Sequence, residues 1–194
     1  MSYVSSGAFR ADIERVIGGA LTPRPDAEPQ ELELHAFPPD LRAELEALAD
    51  LFGKWTTPKL CVLRGGDFCP VPALTGEGRS ELLDYWFPGD ETATDFVMAA
   101  VDIVNGGGGF YVLVHPNGRM GLLCEDPYSY DPLACSLSAF LRALVAAHHA
   151  ACTRGLPEAK EALRRAVDAR TADLLLTFAR RLTPEARAED AATA

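Results

Sequence analysis

Several features common in membrane, secreted and metal-binding proteins are missing from this sequence. The 194 residues contain no apolar run of 18 residues, and the N-terminus lacks a basic stretch followed by an apolar one, so neither a membrane span nor a secretion signal is predicted. The five cysteines are scattered, odd in number and form no Cys-x-x-Cys pair, which argues against a disulfide framework or a zinc site. These absences predict a cytoplasmic protein with reduced thiols.

The sequence also lacks the usual phosphate-binding motif, although residues 105–114 (NGGGGFYVLV) contain four consecutive glycines. A phosphate-binding glycine loop opens a helix whose free N–H groups face the anion, and a Lys-Ser or Lys-Thr pair follows it. Here the following residues are aromatic, β-branched or otherwise apolar, which is typical of a buried strand. We therefore interpret the glycines as a turn between two elements.

Residues suited to catalysis are few. His148 and His149 are adjacent on a predicted helix, so their side chains diverge by about 100° and cannot share a metal ion as i, i+4 histidines can. The sequence has no Gly-x-Ser-x-Gly motif, and most of the cysteines lie in apolar runs, where a free cysteine packs as a small core residue. We predict no catalytic residue, no cofactor and no metal site. An enzyme with a scattered site, using for example Cys124 or His115, stays an alternative.

Positive charge is scarce where negative charge is concentrated. Lys and Arg number 18 against 28 for Asp and Glu, a net charge of −10, which argues against direct binding to nucleic acid. The stretch between Arg79 and Arg119 contains no Lys or Arg. Its acidic residues are Glu81, Asp84, Asp90, Glu91, Asp95 and Asp102. This acidic segment is either a solvated face that serves solubility or a surface that attracts a basic protein.

Three aromatic residues, Tyr85, Trp86 and Phe87, lie inside the acidic segment. They are either core residues or interface anchors, because aromatic side chains ringed by charge are typical of binding hot spots. On the second interpretation, the predicted partner-binding residues are Asp84, Trp86, Asp90, Glu91, Asp95 and Asp102.

Helices are predicted in four places. Ser6 would cap an N-terminal helix that ends at Gly18, and Pro38 and Pro39 would open a second one that ends at Gly53. Ser136 would cap a third, with one apolar face that includes His148 and with His149 facing outward. Beyond Gly155, residues 158–182 would form one or two amphipathic helices.

Strands are predicted at residues 59–64 and 82–87, and residues 95–104 fit either a buried strand, which we favour, or a helix. FYVLV, HPNGR and MGLLCE predict a hairpin, because Asn-Gly between two apolar runs is a strong hairpin signal. DPYSYDPLA, with two Asp-Pro steps, would be a connector. The stretch around His35 would be an edge strand or an extended arm.

The order of these motifs resembles the SUKH superfamily of bacterial immunity proteins. FPPDLRAELEALADLFG, the hairpin, the Asp-Pro connector and SLSAFLRAL follow one another as in that family, over residues 35–150. The matching positions are Phe37, Pro38 and Leu41 at the first core helix, and Ser136, Leu137, Phe140 and Leu141 at the closing helix.

The resemblance implies an α+β domain with a central, mostly antiparallel sheet flanked by helices, here with extra N- and C-terminal helices. Residues 1–182 would form this single domain and residues 183–194 a frayed tail. The resemblance also implies a non-enzymatic protein that has no cofactor and that binds a toxin domain, commonly a nuclease. The alternative is an adaptor or regulator of the same fold that binds a host protein, and neither the partner nor the oligomeric state follows from the sequence.

Overall fold

A computed structural model of the chain describes residues 2–25, 34–35, 37–56, 70–71, 100–102, 110–114, 117–125 and 128–177. These residues form helices and antiparallel sheets, which confirms the predicted mixed α+β class. The helices are α1 (Ala8–Ile17), α2 (Pro39–Lys54), α3 (Leu137–Thr153), α4 (Leu156–Leu163) and α5 (Ala169–Thr177). The strands are β1 (Thr22–Pro23), β2 (Trp55–Thr56), β3 (Pro70–Val71), β4 (Ala100–Asp102), β5 (Phe110–Val114), β6 (Met120–Glu125) and β7 (Tyr128–Leu133).

Two of the predicted elements, the strands at 59–64 and 82–87, lie outside these ranges, as does the predicted tail at 183–194. The assignment of residues 1–182 to one domain stays a prediction. Among the residues that the structure describes, no helix is both long and apolar enough to cross a membrane.

Helix α1 starts differently from the prediction. Its N-cap is Gly7, with a left-handed φ of 78° and no side-chain cap, whereas the Ser6 hydroxyl donates to a backbone carbonyl of the preceding turn. The prediction that Ser6 caps the helix was therefore wrong. The turn before α1 ends at Gly7 in a left-handed backbone conformation that favours glycine, so Gly7 takes the cap position. The predicted end is confirmed: Gly18, at φ 72°, donates its N–H to a carbonyl of the last turn.

Helix α2 begins at Pro39. Proline has no backbone N–H, and in the first turn of a helix this N–H would have no partner within the helix, so its absence costs no hydrogen bond. The predicted end at Gly53 was wrong, because the helix continues to Lys54, whose ammonium group pairs with Asp50 one turn earlier. The extended backbone of Trp55 then ends the helix. The guanidinium of Arg10 lies 3.8 Å from the centroid of the Trp55 ring and so links α1 to the end of α2.

Leu34, His35 and Phe37 lie in a turn that leads into α2, not in the edge strand or extended arm predicted around His35, and the rest of that stretch, residues 31–33 and 36, lies outside the described ranges. Leu34 is buried and its carbonyl accepts the Phe37 N–H at 3.0 Å. The Nη2 of Arg42 donates to the carbonyls of His35 and Phe37, both at 3.2 Å. These bonds hold the turn against the first helical residues.

The larger sheet has the strand order β3-β4-β5-β6-β7, and every neighbouring pair is antiparallel. The predicted hairpin is confirmed: β5 pairs with β6 from Phe110↔Cys124 to Val114↔Met120. Gly118 in the connecting turn has a φ of 84°, and the Asn117 side chain accepts the N–H of Arg119 at 3.0 Å. The strand predicted over 95–104 is observed at Ala100–Asp102.

Residues 128–133 of the DPYSYDPLA segment form a strand rather than the predicted connector. β7 pairs with β6 over its whole length, from Glu125↔Tyr128 to Met120↔Leu133. Since β7 is an edge strand, Pro132 can lie in it with no ladder hydrogen bond lost on the outer side. Proline was therefore a poor indicator of a connector here, because its cost depends on the place of the strand in the sheet.

Helix α3 is capped as predicted: the Ser136 hydroxyl accepts the N–H of Ala139 at 3.3 Å. Its buried face includes Phe140, Leu144 and His148, and His149 is exposed, which also confirms the predicted orientation of the two histidines. Opposite this face, Ser138 donates a hydrogen bond of 2.6 Å to the largely buried carboxyl group of Glu44 in α2. Helices α2 and α3 are thus joined by a polar contact.

Helices α4 and α5 account for the region that was predicted to be one or two helices. Gly155, at φ 110°, turns the chain between α3 and α4, and α4 packs extensively on α3. The facing surfaces carry small buried residues, which let the two helices approach closely: Ala147 and Ala150 in α3, and Ala159 and Ala162 in α4. Asp168 precedes α5 and its carboxylate accepts the Thr171 N–H at 2.9 Å.

The core draws on most of these elements. The largest side chains with almost no exposure are Phe9, Phe37, Phe140, Ile13, Leu48, Leu137 and Leu141. Val114, Met120 and Leu133 from the sheet belong to the same buried cluster, as do Leu163 and Leu175 from the last two helices. Burial of each large apolar side chain contributes roughly 1.5–3 kcal/mol, so this cluster is the main source of stability in the described part of the chain.

Candidate functional site

The predicted partner-binding residues lie mostly where the structure gives no description. Asp84, Trp86, Asp90, Glu91 and Asp95 fall outside the described ranges. Asp102 ends β4 and pairs in register with Tyr111 of β5. The assignment of these six residues to a binding surface therefore stays a prediction.

Most of the acidic segment, from Glu81 to Asp95, nevertheless lies between two strands that are neighbours in the sheet. β3 and β4 pair antiparallel, with Pro70 opposite Val101 and Val71 opposite Ala100. β3 is an edge strand of the larger sheet. Residues 72–99 thus connect two adjacent strands at one edge of the sheet.

Among the described residues, polar and charged side chains converge in a groove between the N-terminal turn, α1 and α3. We call it the α1–α3 groove, and its volume is about 270 Å³. The polar residues that line it are Tyr3, Asp12, Arg15, Arg142, His149 and Arg154. Unlike the acidic segment, this groove has an excess of positive charge.

Tyr3 forms the buried wall of the groove. Its ring is 4% exposed and packs edge-on against Phe9, with 5.6 Å between the ring centroids. Its hydroxyl donates a hydrogen bond of 2.7 Å to Oδ2 of Asp12. Burial, and then this hydrogen bond and the charge of Asp12, raise the pKa of the Tyr3 hydroxyl well above its ordinary value of 10.0. Tyr3 is therefore a permanent donor at neutral pH.

Asp12 joins two donors. Its Oδ1 accepts from Nη2 of Arg15 at 2.8 Å, one turn along α1, while Oδ2 accepts from Tyr3. Burial alone would raise the pKa of the Asp12 carboxyl, but the hydrogen bonds from Arg15 and Tyr3 and the charges of Arg15 and Arg142 lower it below 3.8. The carboxylate therefore stays ionised and holds both partners in place.

Arg142 lies over the face of the Tyr3 ring. Its guanidinium carbon lies 3.8 Å from the Tyr3 ring centroid, which is a cation–π contact. Within the part of the chain that the structure describes, no carboxylate hydrogen-bonds or pairs with Arg142 or with Arg154. The N–H donors at the edges of both guanidinium groups can therefore be used by a bound anion.

No motif in the sequence marks this groove. The i, i+3 spacing of Asp12 and Arg15 was the one available signal. Tyr3 and Arg142 are far apart in the chain, and neither belongs to a motif. Their contact depends on how α1 packs on α3, which local patterns do not encode.

Cysteine and histidine side chains come together once in the described residues, on the C-terminal half of α3. Sγ of the exposed Cys152 lies 4.0 Å from Nε2 of the buried His148. Cys135 is half-buried, and this burial raises the pKa of its thiol. Cys124 lies in β6, and His115 falls in a gap between the described ranges, so the alternative of a scattered catalytic site stays untested. No group of three or more His, Cys, Asp and Glu residues suited to a metal ion occurs in the described ranges.

No family model, curated protein or solved structure matches this chain. The resemblance to the SUKH superfamily therefore stays a prediction that rests on the motifs quoted above. A function has to be inferred from the charge pattern of the chain and the geometry of its described residues.

Proposed function

We propose that this chain is a non-enzymatic binding protein, an immunity protein of the SUKH type that neutralises a basic toxin domain by covering it with the acidic segment. The observation that carries the proposal is the distribution of charge. Residues 156–194 contain equal numbers of basic and acidic residues, so the net charge of −10 belongs to residues 1–155. Within them, no Lys or Arg interrupts the acidic segment between Arg79 and Arg119.

The physical reason is charge complementarity. A nuclease presents positive charge to its nucleic-acid substrate, and an inhibitor of opposite charge is attracted to the same surface. Such attraction raises the association rate and disfavours partners of the wrong charge. Trp86 would add an apolar contact to the interface, because charged residues alone do not supply a buried anchor.

The antiparallel sheet supports this proposal in one respect. Because β3 and β4 are hydrogen-bonded neighbours at a sheet edge, the chain that connects them begins and ends at one place in the sheet. Asp84, Asp90 and Glu91 belong to that connection, and Asp102 ends the strand that follows it. In this proposal the sheet is the central layer and the helices flank it, as in the SUKH family.

The proposal is tested with the protein encoded by a toxin-like reading frame next to the gene for this chain. We expect nanomolar binding that weakens as salt is raised, together with inhibition of the toxin's nuclease activity. Asp84→Lys, Asp90→Lys and Glu91→Lys combined should weaken binding at least about tenfold, because each turns attraction into repulsion.

The matched control places the same charge change on exposed residues of two helices: Glu46→Lys in α2 with Glu158→Lys and Glu161→Lys in α4. This variant should lose much less affinity than the first, since long-range charge is screened. Micromolar or weaker binding without salt dependence would contradict electrostatic docking to a toxin. Capture of a non-toxin host protein by the same acidic residues would instead support the adaptor alternative.

A further inference from the structure

The α1–α3 groove has no part in the proposed function, and its charge is opposite to that of the acidic segment. We propose that this groove is a binding site for a phosphate monoester, the dianion carried by small phosphorylated molecules. This inference depends on the described residues alone and does not require a toxin partner.

The first step is the charge that the groove presents. Arg15, Arg142 and Arg154 contribute three positive charges, and Asp12 is the one acidic residue among the described residues that line the groove. Three minus one leaves two net positive charges. A phosphate monoester carries about −1.5 to −2 at neutral pH, so it matches this excess, whereas a carboxylate would leave one positive charge without a counterion.

The second step is how the donors are held. The face of the Arg142 guanidinium is stacked on Tyr3, and Tyr3 is itself held by its hydrogen bond to Asp12. Stacking occupies the face of a guanidinium and leaves its edge N–H groups directed outward. A planar fork of this kind binds two phosphate oxygens at once, so Arg142 is the residue that would hold the phosphate group.

The third step is the local field in a protein of net charge −10. At physiological salt the screening length is about 8 Å. Exposed acidic residues beyond that distance contribute little, and the arginines of the groove determine the potential that an anion meets there. An acidic protein can therefore hold an anion where arginines are concentrated.

The fourth step is size. A volume of about 270 Å³ is just below the range of roughly 300–1,000 Å³ for sites that bind drug-sized molecules. Val16 and Val145 also line the groove and offer an apolar surface beside the arginines. The ligand is accordingly a phosphate with a small organic group of about one ring.

The experiment titrates the full-length protein with phenyl phosphate, inorganic phosphate and benzoate, and follows binding by calorimetry and ³¹P NMR. We expect phenyl phosphate to bind at submillimolar concentration and benzoate at least about tenfold more weakly, because benzoate is a monoanion. Arg142→Gln and Arg154→Gln should each weaken phenyl phosphate binding about tenfold or more, since each removes a charged donor.

The matched control is Arg165→Gln, which removes the same charge from an exposed position after α4 that does not line the groove. Its affinity should stay within about twofold of the wild type, because a charge far from the groove is screened. Arg154 follows α3, is exposed and is not stacked on Tyr3, so Arg154→Gln tests the site even if Arg142→Gln unfolds. Melting curves identify any variant that has lost its fold.

Several results would overturn the inference: no binding of phenyl phosphate at millimolar concentration, equal affinity for benzoate, or an equal loss in the Arg165→Gln control. If phenyl phosphate binds more tightly than inorganic phosphate, the site recognises the ester and its organic group. Equal affinities for these two would support a site for the phosphate group itself, with free phosphate as its ligand.

Discussion

At the scale of single residues, Asp12 is the most connected polar side chain of the α1–α3 groove. It accepts hydrogen bonds from Tyr3 and from Arg15 and also experiences the charge of Arg142. Removal of its charge would leave the buried Tyr3 hydroxyl with a weaker acceptor and would release the Arg15 side chain. Asp12 is therefore the residue at which folding and the electrostatics of the groove are most closely coupled.

Asp12→Asn should make the protein less stable at pH 7, and the difference from the wild type should shrink in acid. The folded state lowers the pKa of Asp12 below its ordinary 3.8, so the carboxylate stabilises the fold above that pH. This contribution is lost as the pH falls through the lower, folded value. Hydrogen bonds to a charged group contribute about 1.5–3 kcal/mol, and partial exposure of Asp12 reduces the expected loss to about 1 kcal/mol.

Urea unfolding at pH 7, 5 and 3 measures this difference. Glu161→Gln, which neutralises an exposed carboxylate of α4, is the control and should follow the wild type at each pH. If Asp12→Asn and the wild type lose stability in parallel from pH 7 to pH 3, Asp12 has no stabilising partner in solution.

At the scale of elements, the β5–β6 hairpin shows how one backbone position specifies a turn. Gly118 has a φ of 84°, in the left-handed region that side chains with a Cβ adopt at a cost. A Cβ built at this position would meet no atom within 4 Å. Any loss of stability on substitution of Gly118 would therefore come from the backbone conformation and not from steric crowding.

Gly118→Ala should destabilise the protein by about 1–2 kcal/mol. Gly19→Ala is the control, because Gly19 is equally uncrowded but has no left-handed φ. That substitution should be neutral or stabilise by up to about 1 kcal/mol, since alanine restricts the unfolded chain. Chemical denaturation of the two variants gives the comparison, and similar losses in both would show that φ at Gly118 is not the cause.

The elements differ in how far the sequence predicts them. The Asn117-Gly118 turn and the Ser136 cap follow from interactions within a few residues, and both were predicted correctly. β7 was missed because Pro132 is tolerated only at a sheet edge, and the place of a strand in the sheet depends on its distant neighbours. Ser6 was assigned as a cap because its residue type is favoured there, but the backbone of the N-terminal turn places Gly7 at the cap instead.

At the scale of the whole molecule, the helices after Gly155 share a core with the rest of the described chain. Leu163 in α4 has no measurable exposure and belongs to the same cluster as Phe140 in α3 and Val114 in the sheet. The buried alanines of α3 and α4 bring the two helices close together. We therefore expect α4 and α5 to unfold together with the rest of the described chain.

Leu163→Ala should destabilise the whole protein by about 2–5 kcal/mol, because it removes buried methyl groups and leaves a cavity. Far-UV circular dichroism and tryptophan fluorescence should shift together, as in a two-state transition. Arg164→Ala, at the exposed neighbouring position, should change little. A shift in circular dichroism with an unchanged fluorescence transition would mean that the C-terminal helices unfold separately.

Charge is also organised at this scale. The two proposals assign opposite signs to two places: the acidic segment, most of which lies between β3 and β4, and the arginines of the α1–α3 groove. The first was visible in the sequence because its acidic residues lie within one stretch of chain that contains no Lys or Arg. The second was not, because Arg15 and Arg142 become neighbours only when α1 packs on α3.

The sequence alone therefore determined the features that depend on short stretches of chain: the mixed α+β class, the hairpin turn, the Ser136 cap and the concentration of negative charge. Backbone preferences and hydrogen bonds within a few residues are enough to specify these. Only the tertiary structure decided that residues 128–133 form an edge strand and that Tyr3, Asp12 and Arg142 meet in one groove. Such contacts join distant parts of the chain. Their free energy depends on residues that are far apart in the sequence, so a local sequence pattern cannot predict them.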